Sequence, residues 1–292
     1  MSAPELLATC WTTAGTASPL GVVESPLALP DRIAAAAAAG FTGFGVVNAD
    51  LERYLRDHSL AELRSILDDH GMTSVELELL SDWWVPEGPR RDASDDVRDL
   101  LLEASEALDP HHVKIGPSIS DTTYDLETYA EAFHRTSDAF ASVGTTIALE
   151  FLPFSNIATL ADSVTLVRTA GHPAGGLLID LWHVMRGPDG QLEALTDVPL
   201  EMIKGIELDD ADAEQVGDAY ADTVMRRRLP GEGDWPVPRF IQIMQEKGWS
   251  GPWGVEILSE THRNRPLSES LPDVVATTLA QFEIANAAIS SR

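Results

Sequence analysis

The chain has 292 residues, of which 44% are hydrophobic, so it can bury a large core. This length exceeds that of most single domains, but it suits an eight-unit βα barrel, which typically needs about 250 residues. The formal net charge is −27, whereas binding to nucleic acid or to an anionic membrane depends on clustered Lys and Arg. The composition therefore argues against both of these partners.

Cys10 is the single cysteine, which excludes an internal disulfide and a zinc cluster built from cysteines. The sequence carries neither the charged and apolar regions of a signal peptide nor an apolar run of roughly 20 residues. We therefore expect a soluble cytoplasmic protein. No linker is visible, so residues 1–292 are expected to form a single domain.

Eight short apolar segments recur along the chain. Each is typical of a strand that is covered on both faces. The candidates are Leu6–Trp11, Phe41–Val47, Thr73–Leu79, His111–Gly116, Thr145–Phe151, Gly176–Leu181, Lys204–Leu208 and Gly254–Leu258.

Helical segments with start and stop signals lie between these strands. Ser59 and Glu62 form a capping box, and four glycines stand before strands 2, 5, 6 and 8, where a helix favours a left-handed C-cap. The alternation of β and α segments indicates a parallel sheet. Eight units favour the α/β class and a single (β/α)8 TIM barrel, with an open doubly wound sheet as the alternative. The glycines are Gly40, Gly144, Gly171 and Gly248.

Four consecutive strands, from the fifth to the eighth, end in a carboxylate. The residues are Glu150, Asp180, Glu207 and Glu256. In a βα barrel the carboxyl ends of the strands meet at one face, where the chemistry takes place. Buried carboxylates repel one another unless a cation compensates them. The pattern therefore predicts a shared divalent metal ion.

The four predicted ligands are oxygen donors, which suit Mn²⁺ or Mg²⁺ better than zinc, with Co²⁺ as a further option. Four carboxylates around one dication leave excess negative charge. Lys114, near the end of strand 4, is the predicted counter-charge and substrate contact.

Three stretches of the sequence resemble the xylose isomerase-like TIM-barrel superfamily of sugar isomerases and epimerases. They are Leu-Glu150-Phe, Asp180-x-x-His183, and the segment from Leu229-Pro-Gly-Glu-Gly-Asp234 to Gly254-Val-Glu256. The resemblance spans nearly the whole chain. It is specific for the superfamily but weak on the reaction, because one scaffold hosts many chemistries.

The resemblance implies that Glu150, Asp180, position 207 and Glu256 are metal ligands. Position 207 departs from the family pattern, because Glu207 stands where a histidine is usual. The resemblance further implies that His183 contacts a substrate oxygen. Arg227 matches the arginine before the Pro-Gly loop, with Arg226 and Arg228 as alternatives in register.

The implied reaction is proton removal beside a metal-chelated carbonyl of a keto-sugar, with Glu150 and Glu256 as the catalytic acid and base. Return of the proton gives an isomerase or epimerase. Expulsion of a β-substituent gives a lyase instead, such as a dehydratase or an enzyme that cleaves a 3-keto-glycoside. The altered residue Glu207 makes this alternative a serious one.

Aromatic residues near the predicted mouth suit the apolar C–H face of a sugar or an aglycone. Trp11 and Trp182 are the predicted substrate contacts, and Trp83 and Trp84 are further candidates. Glu76, Glu78 and Asp82 are candidates for hydrogen bonds to sugar hydroxyls, and Glu76 and Glu78 share a face because side chains alternate along strand 3. The loops after strands 7 and 8 lack the glycines of a phosphate site, so an unphosphorylated sugar or glycoside is expected.

Two other classes remain as alternatives. An AP-endonuclease-like DNA repair enzyme would share the barrel but would need a basic face and a histidine-rich trinuclear site. A non-catalytic sugar-binding subunit would explain the missing histidine at position 207. A homo- or hetero-oligomer remains open.

Overall fold

Eight parallel strands close into a barrel, and they are hydrogen-bonded in the order in which they occur in the sequence, with β8 pairing with β1. The structure, a computed structural model, describes residues 3–188, 190 and 192–290. The predicted (β/α)8 barrel is confirmed, and the open sheet is excluded. The strands are β1 Leu6–Ala8, β2 Gly43–Val47, β3 Ser74–Leu80, β4 His112–Ile115, β5 Ile147–Glu150, β6 Gly175–Asp180, β7 Ile203–Leu208 and β8 Trp253–Val255.

Helices surround the barrel, and the apolar core lies between them and the outer faces of the strands. Two short 3₁₀ segments, Leu192–Asp197 and Leu200–Met202, precede β7. The α-helices are α1 Cys10–Thr13, α2 Leu29–Ala39, α3 Asn48–Tyr54, α4 Leu60–Asp69, α5 Pro89–Leu108, α6 Leu126–Ala141, α7 Leu160–Ala170, α8 Leu181–Arg186, α9 Ala219–Arg226, α10 Val237–Lys247, α11 Glu260–Arg263 and α12 Leu267–Ser290.

The local start and stop signals act as predicted. The Ser59 side chain accepts a hydrogen bond from the backbone N–H of Glu62, and the Glu62 side chain accepts one from the backbone N–H of Ser59, as in a capping box. All four predicted glycines have positive φ, and three of them are left-handed C-caps, of α2, α7 and α10. Sequence spacing alone therefore fixes where several of the helices begin and end.

The first and last strands are shorter than predicted. β1 ends at Ala8, so Trp11 lies in α1 and does not end the strand. β8 ends at Val255, so Glu256 is the first residue beyond it. The Thr12 hydroxyl explains both ends, because it donates to Val255 O at 2.8 Å and accepts from the N–H of Ile257 at 2.8 Å. A side chain of α1 thus takes the place of further ladder bonds.

Two glycines make room for polar side chains inside the barrel. A Cβ at Gly254 would lie 3.0 Å from Cγ of Glu207, and one at Gly205 would lie 2.8 Å from the ring of His112. Both distances are shorter than normal van der Waals contact, so a larger residue would displace these side chains. The glycines therefore help to position the charged interior.

Among the described residues, no helix combines the length and the apolar character needed to cross a membrane.

Candidate metal centre

The four strand-end carboxylates meet at one point. In each of Glu150, Asp180, Glu207 and Glu256, one carboxylate oxygen lies within 4.8 Å of one oxygen from each of the others. All four residues are buried. β5, β6 and β7 supply the first three, and the residue after β8 supplies the fourth. The barrel thus brings together residues that lie far apart in the sequence, as the pattern predicted.

Lys114 of β4 is the cation at the centre of this cluster. Its Nζ atom lies 2.6 Å from Glu207 Oε1, 3.1 Å from Glu256 Oε1 and 3.4 Å from Glu78 Oε2. Burial by itself would lower the pKa of Lys114, but the surrounding carboxylates, with Glu150 foremost, raise it well above its usual value. The lysine is therefore charged and occupies the place predicted for a counter-charge.

Arg227 is a second buried cation, on the other side of the cluster. Its Nη1 atom lies 2.6 Å from Asp180 Oδ2 and 3.2 Å from Glu256 Oε2, and it also contacts Asp209. Arg226 and Arg228, the alternatives in register, are exposed and pair with an aspartate outside the cavity. Of the three arginines, Arg227 is the one that the structure brings to the carboxylates.

The Asp180-x-x-His183 motif is the beginning of α8. The backbone N–H of His183 donates to Asp180 Oδ1 at 3.0 Å, so Asp180 is the N-cap of this short helix. The cap fixes the aspartate and also turns the His183 ring toward Glu150, whose Oε1 lies 3.2 Å from Nε2. One local motif therefore orients two of the predicted site residues.

Sequence reasoning missed the roles of Asp209 and Asp210. Asp209 is the buried partner of Arg227. Asp210 accepts backbone N–H bonds from Gly231 at 2.9 Å, Gly233 at 3.0 Å and Trp235 at 3.1 Å, which fixes the Pro-Gly loop. The sequence did carry a signal for the contact between Asp210 and the Pro-Gly loop: two aspartates directly follow β7, and two glycines come about twenty residues later.

Burial and neighbouring charges separate the pKa values of the carboxylates. Burial by itself would raise the pKa of Glu150, but Lys114, followed by the His183 ring and Arg227, lowers it to about 2. Burial raises the pKa of Glu256 to about 7, although both cations oppose the shift. Burial and the adjacent Glu256 raise the pKa of Glu207 well above the usual carboxyl range. The pKa values of carboxylates within one cluster are therefore shifted in opposite directions.

The donor set fits a hard divalent cation. All four candidate ligands present carboxylate oxygens, and Oε2 of Glu207 is buried with no hydrogen-bond partner among the described residues. A buried oxygen without a partner is costly, and a bound cation would satisfy it. Oxygen ligands are the preference of Mg²⁺ and Mn²⁺.

A sequence model of the family described as "Xylose isomerase-like TIM barrel" matches residues 33–275. The chain belongs to this family. The match spans β2 to β8 and every candidate ligand.

Relatives within this xylose isomerase-like family carry different activities. The chain is 25% identical to a 3-dehydroshikimate dehydratase of Pseudomonas putida over 86% of its own length, but it spans only 39% of that relative. It is 22% identical to an inosose isomerase of Halalkalibacterium halodurans, over 78% of this chain and 82% of the relative. These named relatives include a dehydratase and an isomerase, so membership of the family leaves the reaction open.

Solved structures in this family share the fold. The IOLI protein with a bound zinc atom superimposes with a TM-score of 0.82 at 20% sequence identity, covering 96% of this chain and 99% of that one.

Lys114, Glu150, His183, Arg227 and Glu256 line a cavity of about 200 Å³ at the mouth of the barrel, together with the predicted substrate contact Trp11. Glu78, Ser81 and Thr223 also line it, and most of the remaining lining is apolar or aromatic. The apolar and aromatic lining residues include Pro19, Ile119, Phe154, Tyr220 and Leu258.

Two predicted substrate contacts lie away from the cavity. Trp182 is fully buried, with Arg227 over one face, because α8 turns its ring behind the wall. Glu76 lies deeper in the barrel, where its Oε2 atom is 2.8 Å from His112 Nε2 and its Oε1 atom is 3.9 Å from the lysine Nζ. Glu78 points inward with it, as the alternation of strand 3 requires, and it reaches the cavity.

Asp82, Trp83 and Trp84, the candidates that follow strand 3, make contacts outside the cavity. Trp83 and Trp84 are buried; the Trp83 indole N–H donates to Gly116 O at 2.9 Å. Asp82 pairs with the exposed Arg90. These residues stabilise the loop after β3 and do not line the cavity.

Proposed function

We propose that this protein is a divalent-metal-dependent enzyme that acts on a keto-sugar or related derivative, as a sugar isomerase or epimerase. The observation that carries this proposal is the convergence of four buried carboxylates, of which Glu150 and Glu256 line one cavity together with Lys114 and Arg227. The pKa values of Glu150 and Glu256 are also shifted in opposite directions. Two titratable groups whose environments separate their pKa values are a recurring arrangement for an acid and a base. The enzymatic names of the relatives agree with this assignment.

Each carboxylate has a distinct role in the proposal. Glu150, ionised beside His183, removes the proton from the carbon next to the carbonyl. Glu256 returns a proton either to the opposite face of the same carbon, which gives an epimer, or to the neighbouring carbon, which gives an aldose–ketose isomer. A divalent cation held by the four carboxylates would supply Lewis-acid polarisation of the carbonyl.

The cations of the chain position these groups. Lys114 holds Glu207 and Glu256 in one orientation, while Arg227 does the same for Asp180 and Glu256. His183, which lines the cavity, is assigned in this proposal to donate a hydrogen bond to a substrate oxygen. In this proposal the two buried cations hold the carboxylates in the orientations that proton transfer requires.

A lyase is the second candidate, because two of the curated relatives are 3-dehydroshikimate dehydratases. The first step would be the same proton removal by Glu150. Glu256 would then pass its proton to the leaving oxygen on the β-carbon, and a carbon–carbon double bond would form as the C–O bond breaks. Atoms balance with no further reactant.

Metal analysis and proton exchange test this proposal together. The protein is dialysed against Mn²⁺ or Mg²⁺, its metal content is measured, and keto-sugars are incubated with it in D₂O. Deuterium incorporation with all substituents retained supports an isomerase or epimerase, whereas loss of a hydroxyl or alkoxyl group supports a lyase. Exchange that proceeds equally in chelator would refute the role of the metal.

A matched pair of variants separates catalysis from folding. Glu256→Gln is expected to lower the exchange rate by at least about a hundredfold, the usual contribution of a positioned acid or base. Glu260→Gln, which changes an exposed glutamate four residues further on, is the control and should retain the wild-type rate. Substrate binding without exchange in the wild-type protein would instead indicate a sugar-binding subunit.

A further inference from the structure

A second cavity lies among α7, α8 and the first 3₁₀ segment, apart from the cavity at the mouth of the barrel. Its volume is about 270 Å³, and the buried side chains of Phe151 and Val184 line it. These two residues directly follow Glu150 and His183, which line the cavity at the mouth. Neighbouring residues of the same two segments thus face different cavities.

The lining of this second cavity is mainly apolar. In addition to Phe151 and Val184, α7 supplies Leu160 and Val164, and Val198 follows the 3₁₀ segment. Ligand sites typically combine an apolar lining with a few polar groups that fix the orientation of the ligand. The volume lies just below the usual range for such sites, about 300 to 1,000 Å³, so a matching ligand is small.

Of the described residues that line this cavity, three have polar side chains. Thr159 is already engaged, because its hydroxyl caps α7 and donates to Asp162 Oδ2 at 2.7 Å. Arg168 and Asp197 are exposed, so they stand where the cavity meets solvent. The cavity therefore has an apolar interior and charged groups at its opening.

Arg168 differs from the other arginines of this acidic chain. Each of the other described arginines forms an ion pair or a hydrogen bond, whereas Arg168 forms neither with any residue that the structure describes. Carboxylates are abundant, since the net charge is −27. A guanidinium is well matched to a carboxylate, so an unpaired one beside an apolar cavity indicates a ligand with an anionic group.

We propose that this cavity is a second ligand site, which binds a small monocarboxylate with a compact apolar body. The body occupies the apolar interior, and the carboxylate pairs with Arg168 at the opening. Asp197 at the same opening disfavours a second carboxylate on the ligand, because like charges repel. The site is independent of the metal and of the proposed reaction.

The test compares four probes in NMR titrations of the intact protein at pH 7.5. Benzoate has an apolar ring and one carboxylate, whereas acetate lacks the ring, benzyl alcohol lacks the charge and phthalate adds a second charge. Benzoate is expected to bind at least about fivefold more tightly than each of the other three, because it alone matches both parts of the site. Equal affinity for benzoate and benzyl alcohol, or for benzoate and acetate, would overturn the inference.

A charge variant tests whether Arg168 holds the carboxylate. Arg168→Met is expected to lower the affinity for benzoate about threefold to tenfold and to leave that for benzyl alcohol unchanged, because it removes the charge and keeps an apolar side chain. Arg135→Met, which removes an exposed arginine of the adjacent helix α6, is the matched control and should bind benzoate as the wild type does. Unchanged benzoate affinity in Arg168→Met would contradict the proposed pairing.

A filling variant tests whether the ring lies in this cavity. Ala161 is an exposed residue of the first turn of α7 that lines the cavity, so Ala161→Phe places a phenyl group at the site without altering the buried core. This variant is expected to lower the affinity for benzoate at least about tenfold. Thr165→Phe, one turn later on the same helix and also exposed, lies outside the lining and should retain wild-type binding. Benzoate that binds Ala161→Phe as tightly as the wild type would lie elsewhere on the protein, and the inference would then be wrong.

Discussion

Replacement of Lys114 by methionine tests whether this lysine is the resident counter-charge of the acidic cluster. The lysine is 1% exposed, and its Nζ atom lies 2.6 Å and 3.1 Å from carboxylate oxygens of Glu207 and Glu256. Methionine keeps most of the volume and removes the charge. The variant therefore leaves buried carboxylates without their nearest cation and creates little cavity.

The expected loss of unfolding free energy is the difference between the ion-pair attraction that is removed and the desolvation cost that is relieved. At an effective dielectric constant of about 20, an ion pair at this separation is worth roughly 5 to 6 kcal/mol, and the lysine makes more than one. Removal of the ammonium also relieves its desolvation, which is several kcal/mol. Breaking a buried pair by removing one partner typically costs about 3 to 5 kcal/mol, and we expect a loss of that size for Lys114→Met.

The measurement is urea unfolding of chelator-treated protein at pH 8, followed by tryptophan fluorescence. The folded-state pKa of Lys114 is raised, so its stabilising contribution is fully present below 10.5 and is lost only as the pH rises through the folded pKa. Lys247→Met, at the end of α10, removes a lysine that donates to Thr196 O, and it should cost less than about 0.5 kcal/mol. A loss below about 1 kcal/mol for Lys114→Met would show that proton uptake neutralises the cluster.

Three further outcomes are expected. Mn²⁺ at a hundred times its dissociation constant should add about 2.7 kcal/mol to the unfolding free energy, and Asp180→Asn should abolish that gain in a thermal shift assay. The folded-state pKa of Glu256 is raised from 4.5 to about 7. The unfolding free energy of the metal-free wild type should therefore fall by about 3 kcal/mol between pH 4.5 and 7. Glu256→Gln should lack this fall, and parallel stability curves for the two proteins against pH would contradict the raised pKa. Asp210→Asn leaves some of the loop N–H groups less well paired, which should cost about 1 to 3 kcal/mol in urea unfolding and lower metal affinity only slightly.

The parts of the fold that could be predicted depend on local signals. Alternating β and α segments give the closed barrel, and the Ser59 capping box and the C-cap glycines mark helix ends through contacts within a few residues. The strand-end carboxylates converge because the fold itself places the carboxyl ends of the strands together. Pattern and topology were sufficient for these features.

The features that could not be predicted depend on where a strand ends and on long-range pairing. Trp11 and Trp182 both follow a strand, yet one lines the cavity and the other is buried behind it, because each lies in a short helix whose turn sets the ring direction. The contact of Asp209 with Arg227 joins residues eighteen positions apart, with α9 between them. The sequence pattern shows both residues but not their pairing.

Glu207 is the residue at which the sequence departs from the ligand pattern that the resemblance implies, and its surroundings show how a carboxylate there is compensated. A neutral histidine would bring no charge to the cluster, whereas a glutamate brings one negative charge when it is ionised. Lys114 lies 2.6 Å from its Oε1 atom and cancels that charge, while Oε2 remains free of partners among the described residues and available to a cation. The pair of Glu207 and Lys114 therefore presents one oxygen donor with little net charge. If Glu207 is a ligand, as we propose, an oxygen donor at this position is expected to favour Mn²⁺ or Mg²⁺ over zinc.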